Sequence, residues 1–441
     1  MSADKRDTAN STPGAQGVIG DRFPSQTSLI GGSLSIERHL LQWVLERLGR
    51  APLCFVLWDG TRVSPSGVAP ECDLHVSDRG ALWRLMGHPE YQFPEMYVQG
   101  RVGLGDDLEH VLHIVQHARL KLDPNSLTRR LLSALFRRRS GSPARARENI
   151  HSHYDLGNDF YRLWLDEQMV YTCAYFETQA ASLEGAQKAK MDRVCRKLRL
   201  RSGERVVEAG CGWGALALHM ARTFGVKVRA FNISRSQLEF ARERAAREGL
   251  GDAVEFVEGD YREIAGNYDA FVSVGMLEHV GPQYYQELGQ IMDRTLPADG
   301  RGLIHTIGTD RPGPLNTWIE RRIFPGAYPP SLGEMMPLFG PNHFSILDVE
   351  NLRLHYALTL RHWLQRFYAS QDKVLEMFDQ EFVRAWRFYL ASSETAFTTG
   401  HLQLFQVLFA RKGSNDIPWT RAYLEDSDCC LLYTSDAADD L

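Results

Sequence analysis

Between residues 205 and 308 the chain alternates apolar runs of strand length with helical patterns. The order is RVVEAG, a helix over 216–224, VKVRAFNI, a helix over 236–248, VEFVEGD, YDAFVSVG, a helix over 284–296, and GRGLIHTIG. Strands separated by crossovers long enough to hold a helix pair in parallel, so this order predicts an α/β fold built on an open, doubly wound sheet. Two later apolar runs, near 344–347 and 402–409, are expected to close the sheet as antiparallel strands. The stretch 309–400 holds too many aromatic residues and helical patterns for a loop. It is expected to form a helical cap over the carboxyl edge of the strands, where ligands bind in this architecture.

At 441 residues the chain has room for a second domain. Ile36, Leu40, Trp43, Val44 and Leu48 recur at helical spacing, a strand-like run follows over 53–58, and Leu108, Val111, Leu112 and Val115 suggest another helix. These read as a small α+β domain over 34–122. Residues 1–33 are polar and lack an apolar run, which excludes a secretory signal or spanning helix and predicts a disordered tail. Residues 413–441 form a C-terminal tail whose last fifteen residues, SDCCLLYTSDAADDL, change composition abruptly and read as a non-native extension.

A formal net charge of -5 gives no global reason to expect nucleic acid as a partner. The exception to the mild acidity is local. In SLTRRLLSALFRRR the apolar residues Leu127, Leu131, Leu132, Leu135 and Phe136 share one helical face, ringed by Arg129, Arg130, Arg137, Arg138 and Arg139. The segment 123–148 fits either a linker helix packed on its own protein or an interfacial helix drawn to anionic lipid. Seven cysteines with no C-x-x-C pairing argue against zinc or a disulfide framework; no metal is expected, and a reducing cytoplasm is.

The predicted strand ending at Ala209 runs into Gly210-Cys211-Gly212-Trp213-Gly214 and then a helix, so backbone can approach a ligand closely at each glycine. The spacing E-x-G-x-G-x-G differs from the G-x-G-x-x-G used for a dinucleotide pyrophosphate, and the next strand ends in Asn232-Ile233-Ser234 with no acidic residue for a ribose. Further on, Asp260 and Tyr261 follow the third strand. They suit either an adenine contact or a simple turn cap.

These features sit within longer motifs: NIHSHYDLGNDFYRLWL, MVYTCAYF, VVEAGCGWGALALHMA, VSVGMLEHVGPQYY, LIHTIG and FPGAYPPS. Together they resemble the cyclopropane fatty acid and mycolic acid cyclopropane synthase family, over about 149–412. The resemblance implies a Rossmann-like class I methyltransferase sheet in 149–412, with the cap at 309–400, and a lipid-associated N-terminal domain. It implies S-adenosylmethionine as methyl donor, with Gly210, Gly212 and Gly214 cradling its methionine part, Tyr171 and Thr172 closing over it, and Ser234, Gln237, Asp260 and Tyr261 near ribose and adenine. It also implies a bicarbonate ion held by Cys173, Glu278, His305, the backbone at Ile307, and Tyr356. The activity implied is addition of a methylene bridge to the cis double bond of an unsaturated phospholipid acyl chain, by a homodimer peripheral on the inner face of the cytoplasmic membrane. Methyl branching of the chain, or N-methylation of a small amine, is the alternative within the same fold.

Two departures stand out: Asn232 replaces a commoner threonine, and Ser392-Ser393 stand where many members carry a cysteine. An alkene attacking a sulfonium methyl leaves a transient cation, which aromatic faces stabilise. Tyr175, Phe176, Trp318, Tyr328 and Tyr356 are the candidates for that role, or for plain core.

Overall fold

A computed structural model describes residues 35–47, 49–104, 108–120 and 156–425. The expected tail 1–33, the basic segment 123–148, the start of the NIHSHYDLGNDF motif and the chain end beyond 425 lie outside the described residues.

The first part of the chain runs α1 (Ser35–Arg47), β1 (Leu53–Val56), β2 (Arg62–Val63), β3 (Cys72–Val76), α2 (Arg79–Gly87), α3 (Pro89–Val98), β4 (Val102–Gly103) and α4 (Leu108–Leu120). Its strands form a mixed sheet in the order β2-β1-β3-β4. Of these elements, periodicity anticipated α1, β1 and α4. The strands β2 and β4 are each two residues long, too short to carry a pattern.

The second part runs α5 (Asn158–Arg162), α6 (Leu183–Leu198), β5 (Arg205–Ala209), α7 (Ala215–Phe224), β6 (Lys227–Asn232), α8 (Arg235–Arg247), β7 (Val254–Glu258), β8 (Ala270–Val274), α9 (Leu277–Val280), α10 (Tyr285–Thr295) and β9 (Arg301–Gly308). It continues with α11 (Thr317–Arg322), α12 (Leu332–Met335), β10 (Phe344–Asn351), α13 (Arg353–Ala369), α14 (Gln371–Met377), α15 (Gln380–Thr398) and β11 (Gln403–Arg411). The large sheet has the order β10-β11-β9-β8-β5-β6-β7. Strands β5 to β9 pair in parallel, and every residue of β8 is buried, as expected of a strand covered on both faces. The sheet is the α/β, doubly wound class expected from the alternation.

The closing strands differ from expectation. β11 is antiparallel to both β9 and β10, so β10 runs in the same sense as the parallel set and only β11 is reversed. β10 also lies inside the stretch 309–400 expected to be cap, as an edge strand of the sheet. Its apolar start, 344–347, is the run expected as a strand; the polar residues that follow extend it to Asn351 as an edge that buries only part of its surface.

The chain leaves β5 toward β6 and β7 on one side, then returns to β8 and β9 on the other. The crevice where the order reverses lies at the carboxyl ends of β5 and β8. Helices α13 and α15 pack together beside it, with α15 also against α3 and α4. Asp379 caps α15 by accepting from the Phe382 N–H at 2.8 Å, and Ser182 caps α6 through Gly185. The apolar residues of α1–α4 and those of α13 and α15 form one continuous core, with Trp164, Trp318, Trp363 and Trp386 fully buried in it. Ion pairs tie the same surfaces: Glu95 to Arg322 at 2.7 Å and His113 to Glu394 at 3.1 Å.

Candidate active site

The loop after β5 follows from its glycines. Gly210, Gly212 and Gly214 have φ of +84°, +52° and +80°, a region L side chains rarely adopt. A Cβ at Gly214 would sit 2.7 Å from the Phe256 ring, and one at Gly210 would sit 2.9 Å from Met276 Cβ. Those two glycines are required by protein packing. Gly212 differs, since a Cβ there meets nothing within 4 Å. It leaves a cradle that a ligand's backbone-hugging portion fits. Asn232, the departure at the end of β6, adds a side-chain tie to this loop: its amide donates to the Gly212 carbonyl at 3.1 Å and to Gln237 Oε1 at 2.8 Å. Glu208, just before the loop, is fully buried, and burial pushes its carboxyl up to about 8.

The turns after β8 and β9 meet beside it. Glu278, on the short helix α9, accepts the Ile307 N–H through Oε1 at 2.5 Å. The Ile307 amide, assigned by resemblance to the ion, therefore orients Glu278. The other oxygen, Oε2, is buried without a hydrogen-bond partner, and burial pushes the carboxyl up to about 7. His305 Nδ1 on β9 lies 3.0 Å from the Gln406 amide nitrogen of β11; with that nitrogen as donor, the ring proton sits on Nε2. That Nε2 is also buried without a partner, and burial, aided by the charge of Lys190, keeps the imidazole neutral. The site thus holds one buried acceptor and one buried donor that protein does not satisfy, the kind of pair a small polar ion completes. Cys173 is wholly buried, and its thiol donates to the Ala174 carbonyl at 3.1 Å. Burial raises its pKa far above the ordinary thiol range, so it stays protonated.

The segment carrying Tyr171, Thr172 and Cys173 has no regular structure of its own. It is clamped from three helices, none of whose contacts the sequence revealed. From α6, Gln187 donates to the Thr172 carbonyl at 2.9 Å and Lys190 Nζ donates to Thr172 Oγ1 at 3.0 Å. From α13, Thr359 Oγ1 accepts the Ala174 N–H and His355 Nδ1 accepts the Phe176 N–H, both at 3.0 Å. Tyr171 shares a 2.8 Å hydrogen bond with Tyr389 of α15 and packs on Trp164 and Trp363. Thr172 lies against Gly275, where a Cβ would come within 2.9 Å of its methyl. Tyr356, near the start of α13, is buried against Trp363 and Phe397.

The remaining residues expected near ribose and adenine are placed less tellingly. Asp260 caps its own turn by accepting the Arg262 N–H, and its carboxylate also pairs with the Arg262 guanidinium at 3.1 Å. Tyr261 is mostly buried, under that same guanidinium. Ser234 Oγ lies 3.3 Å from Ser236 Oγ. Among the aromatic candidates, Trp318 belongs to the core shared with the first part of the chain: it is wholly buried, with Nε1 donating to Glu95 of α3. Tyr175 is covered by a stacked His355 ring at 4.6 Å and by the Arg193 guanidinium at 4.3 Å, which leaves no face for a cation. Phe176 stacks on His362, and Tyr328 donates its hydroxyl to Glu334 at 2.6 Å.

A family model described as mycolic acid cyclopropane synthetase matches residues 142–407. The chain belongs to this family. A probable fatty acid methyltransferase of Pseudomonas putida is 34% identical over 397 residues, 84% of this chain and 95% of that protein. The cyclopropane-fatty-acyl-phospholipid synthase of Escherichia coli strain K12 is 40% identical over 266 residues, 60% of this chain and 68% of that protein. Among solved structures, mycolic acid cyclopropane synthase CmaA1 complexed with SAH and CTAB superposes with a TM-score of 0.57 at 29% identity, covering 60% of this chain and 98% of that one. This member of the mycolic acid cyclopropane synthetase family is an S-adenosylmethionine-dependent methyltransferase, and its sheet is that of the class I enzymes.

Gln406 is the partner most easily tested. Replacing it with Leu removes the donor that selects the Nε2–H tautomer of His305. Since one such hydrogen bond is worth about 1 kcal/mol, turnover should fall about 5-fold. Affinity for S-adenosylhomocysteine, measured by calorimetry, should hold; a Gln406→Leu variant with parental turnover would show that the tautomer does not matter.

Proposed function

We propose that the enzyme adds a methylene group across the cis double bond of an unsaturated phospholipid acyl chain, with a bicarbonate ion in the buried site. The observation that carries this reading is the buried couple of Glu278 Oε2 and His305 Nε2–H, an acceptor and a donor without protein partners. Bicarbonate offers a hydroxyl for Glu278 and oxygens for His305 and Tyr356. Bound there, it would supply a base for the proton lost when the ring closes. S-adenosylmethionine would lie along Gly210, Gly212 and Gly214 under Tyr171 and Thr172, with Ser234, Gln237, Asp260 and Tyr261 toward ribose and adenine, and it supplies an electrophilic methyl.

An alkene is a poor nucleophile, so orientation and exclusion of water must do much of the work. The chain's contribution is the rigid aromatic wall of Trp164, Trp363 and Trp386, packed on Tyr171 and Tyr356, and the clamp that holds Thr172 and Cys173 in place. Among the described residues no helix is long and apolar enough to cross a membrane. The reading therefore brings the enzyme to its lipid by peripheral contact on the inner face of the cytoplasmic membrane, with the arginines of 126–139 meeting anionic headgroups and the chain acting as a homodimer.

A second reading is methyl branching without ring closure. It is favoured by the wider match to the Pseudomonas putida fatty acid methyltransferase, 84% of the chain against 60% for the Escherichia coli synthase. Incubating pure protein with S-adenosylmethionine and anionic vesicles of cis-unsaturated phospholipid, then analysing the fatty acids, separates the two. Ring closure predicts a gain of one CH₂ in a product that resists mild hydrogenation. A product that takes up hydrogen supports branching, and unaltered acyl chains would overturn both. Co-sedimentation and light scattering of the same mixture report docking and oligomeric state.

A further inference from the structure

Lys190 is the buried charge that the roles above leave unexplained. Its side chain, on the inner face of α6, is only 2% exposed. An ammonium has three protons to donate, and the hydrogen bond it makes is to Thr172 Oγ1 at 3.0 Å. Among the described residues no carboxylate lies within 4.0 Å of it. The other buried lysine on the same helix is different, since Lys197 is held by Glu350 at 2.6 Å. A threonine hydroxyl would be satisfied by any neutral donor, whereas a buried ammonium without a counter-ion costs several kcal/mol.

The titratable groups facing Lys190 are Asp166 from the turn after α5, Cys173 from the site segment, Cys195 from α6 itself, Glu208 from β5 and His305 from β9. Asp166 is the carboxylate whose charge most supports Lys190, but it lies beyond 4.0 Å and is held by the Gln168 and Val170 N–H groups, both at 2.9 Å, while burial pushes Glu208 toward its neutral form. Burial lowers Lys190 to about 8, opposed chiefly by the charge of Asp166. Thr172, which Lys190 holds, precedes Cys173, and the ion ligands assigned there include a carboxylate, a neutral imidazole and a protonated thiol, none of them a cation. An anion entering that site would find no cation among its own ligands, and Lys190 is the first charge felt at His305.

We propose that Lys190 is a positioning residue that supplies the counter-charge for the small anion bound by Glu278, His305 and Tyr356, acting across Thr172 and Cys173. This deepens the bicarbonate reading and rests on it. Lys190 touches neither the acyl chain nor the methyl donor; its charge sets how tightly the anion is held.

The test compares Lys190→Met, Lys190→Gln and Lys190→Arg with the parent, using sodium bicarbonate in carbon-dioxide-depleted buffer as the probe. Gln keeps a donor for Thr172 without the charge, and Arg keeps the charge. Two quantities are read: the bicarbonate concentration giving half-maximal turnover, and the rise in melting temperature that bicarbonate produces in the S-adenosylhomocysteine complex. Met and Gln should raise the half-saturating concentration at least about 10-fold and shrink the thermal shift, with Arg near the parent, because removing a nearby charge in a buried site weakens an anion by that order. In Gln and Arg, which keep a donor for Thr172, affinity for S-adenosylhomocysteine should change less than about 2-fold, which also shows that they are folded; Met removes that donor as well as the charge, so Gln carries the comparison. Unchanged bicarbonate dependence in Gln would overturn the proposal, as would a parallel loss of S-adenosylhomocysteine affinity in Gln and Arg, which marks a purely structural lysine. A parent that shows no bicarbonate dependence at all would instead sink the bicarbonate reading itself.

Discussion

Glu278→Gln is expected to lower turnover about 100-fold or more, the scale of a lost acid–base contribution, while S-adenosylhomocysteine binds as before. The reason lies in the Ile307 N–H. It donates to Oε1 at 2.5 Å, so the glutamine must place its carbonyl there and its NH₂ where Oε2 was. The buried acceptor becomes a second buried donor beside that of His305 Nε2–H, and an ion that needs one donor and one acceptor no longer fits. Burial pushes the Glu278 carboxyl up to about 7 from its ordinary 4.5, so turnover should rise with pH through about 7 as it ionises, and the variant should lack that limb. The sign for stability is opposite. A carboxyl whose folded pKa is raised favours folding below its unfolded pKa, and that contribution fades as pH climbs from about 4.5 through about 7. At pH 8 the Gln variant should therefore melt no lower than the parent, separating lost chemistry from lost fold. Parental turnover in Glu278→Gln would remove this residue from the mechanism.

Gly212→Val is expected to abolish useful cofactor binding with the sheet intact. A Cβ at Gly212 meets no protein atom within 4 Å, so the side chain is accommodated at the cost of a positive φ of +52°, about 1 to 2 kcal/mol for a non-glycine residue. The valine then occupies the cradle, and an overlap of this kind costs about 3 kcal/mol, roughly 100-fold in affinity for S-adenosylhomocysteine. Gly214→Val is the informative contrast. Its Cβ would lie 2.7 Å from Phe256 and 2.9 Å from Ala241 within the packed interior, so its primary loss should be in melting temperature. Calorimetric titration and thermal denaturation of the two variants distinguish the cases. A Gly212→Val protein that binds S-adenosylhomocysteine like the parent would show that the methionine part does not run along this loop.

What the sequence determined by itself is local and repetitive. Parallel strands need crossover helices, so alternation from Arg205 onward was enough to specify the doubly wound sheet, and glycines after β5 marked a turn whose backbone stands open at Gly212. The long motifs around Cys173, Glu278 and His305 identified the family because they are contiguous. Tertiary structure alone decided which partners those residues have. Gln406 reaches His305 from a strand 101 residues away, and Thr359 reaches Ala174 across 185. His113 meets Glu394 across 281 residues, joining the two parts of the chain in one core. Nothing in the sequence singled out Lys190, and the run 344–347 showed a strand without showing that β10 runs in the same sense as the parallel set. A side chain's burial, its tautomer and its counter-charge depend on what the fold brings against it from elsewhere in the chain, and no period of 2 or 3.6 residues carries that information.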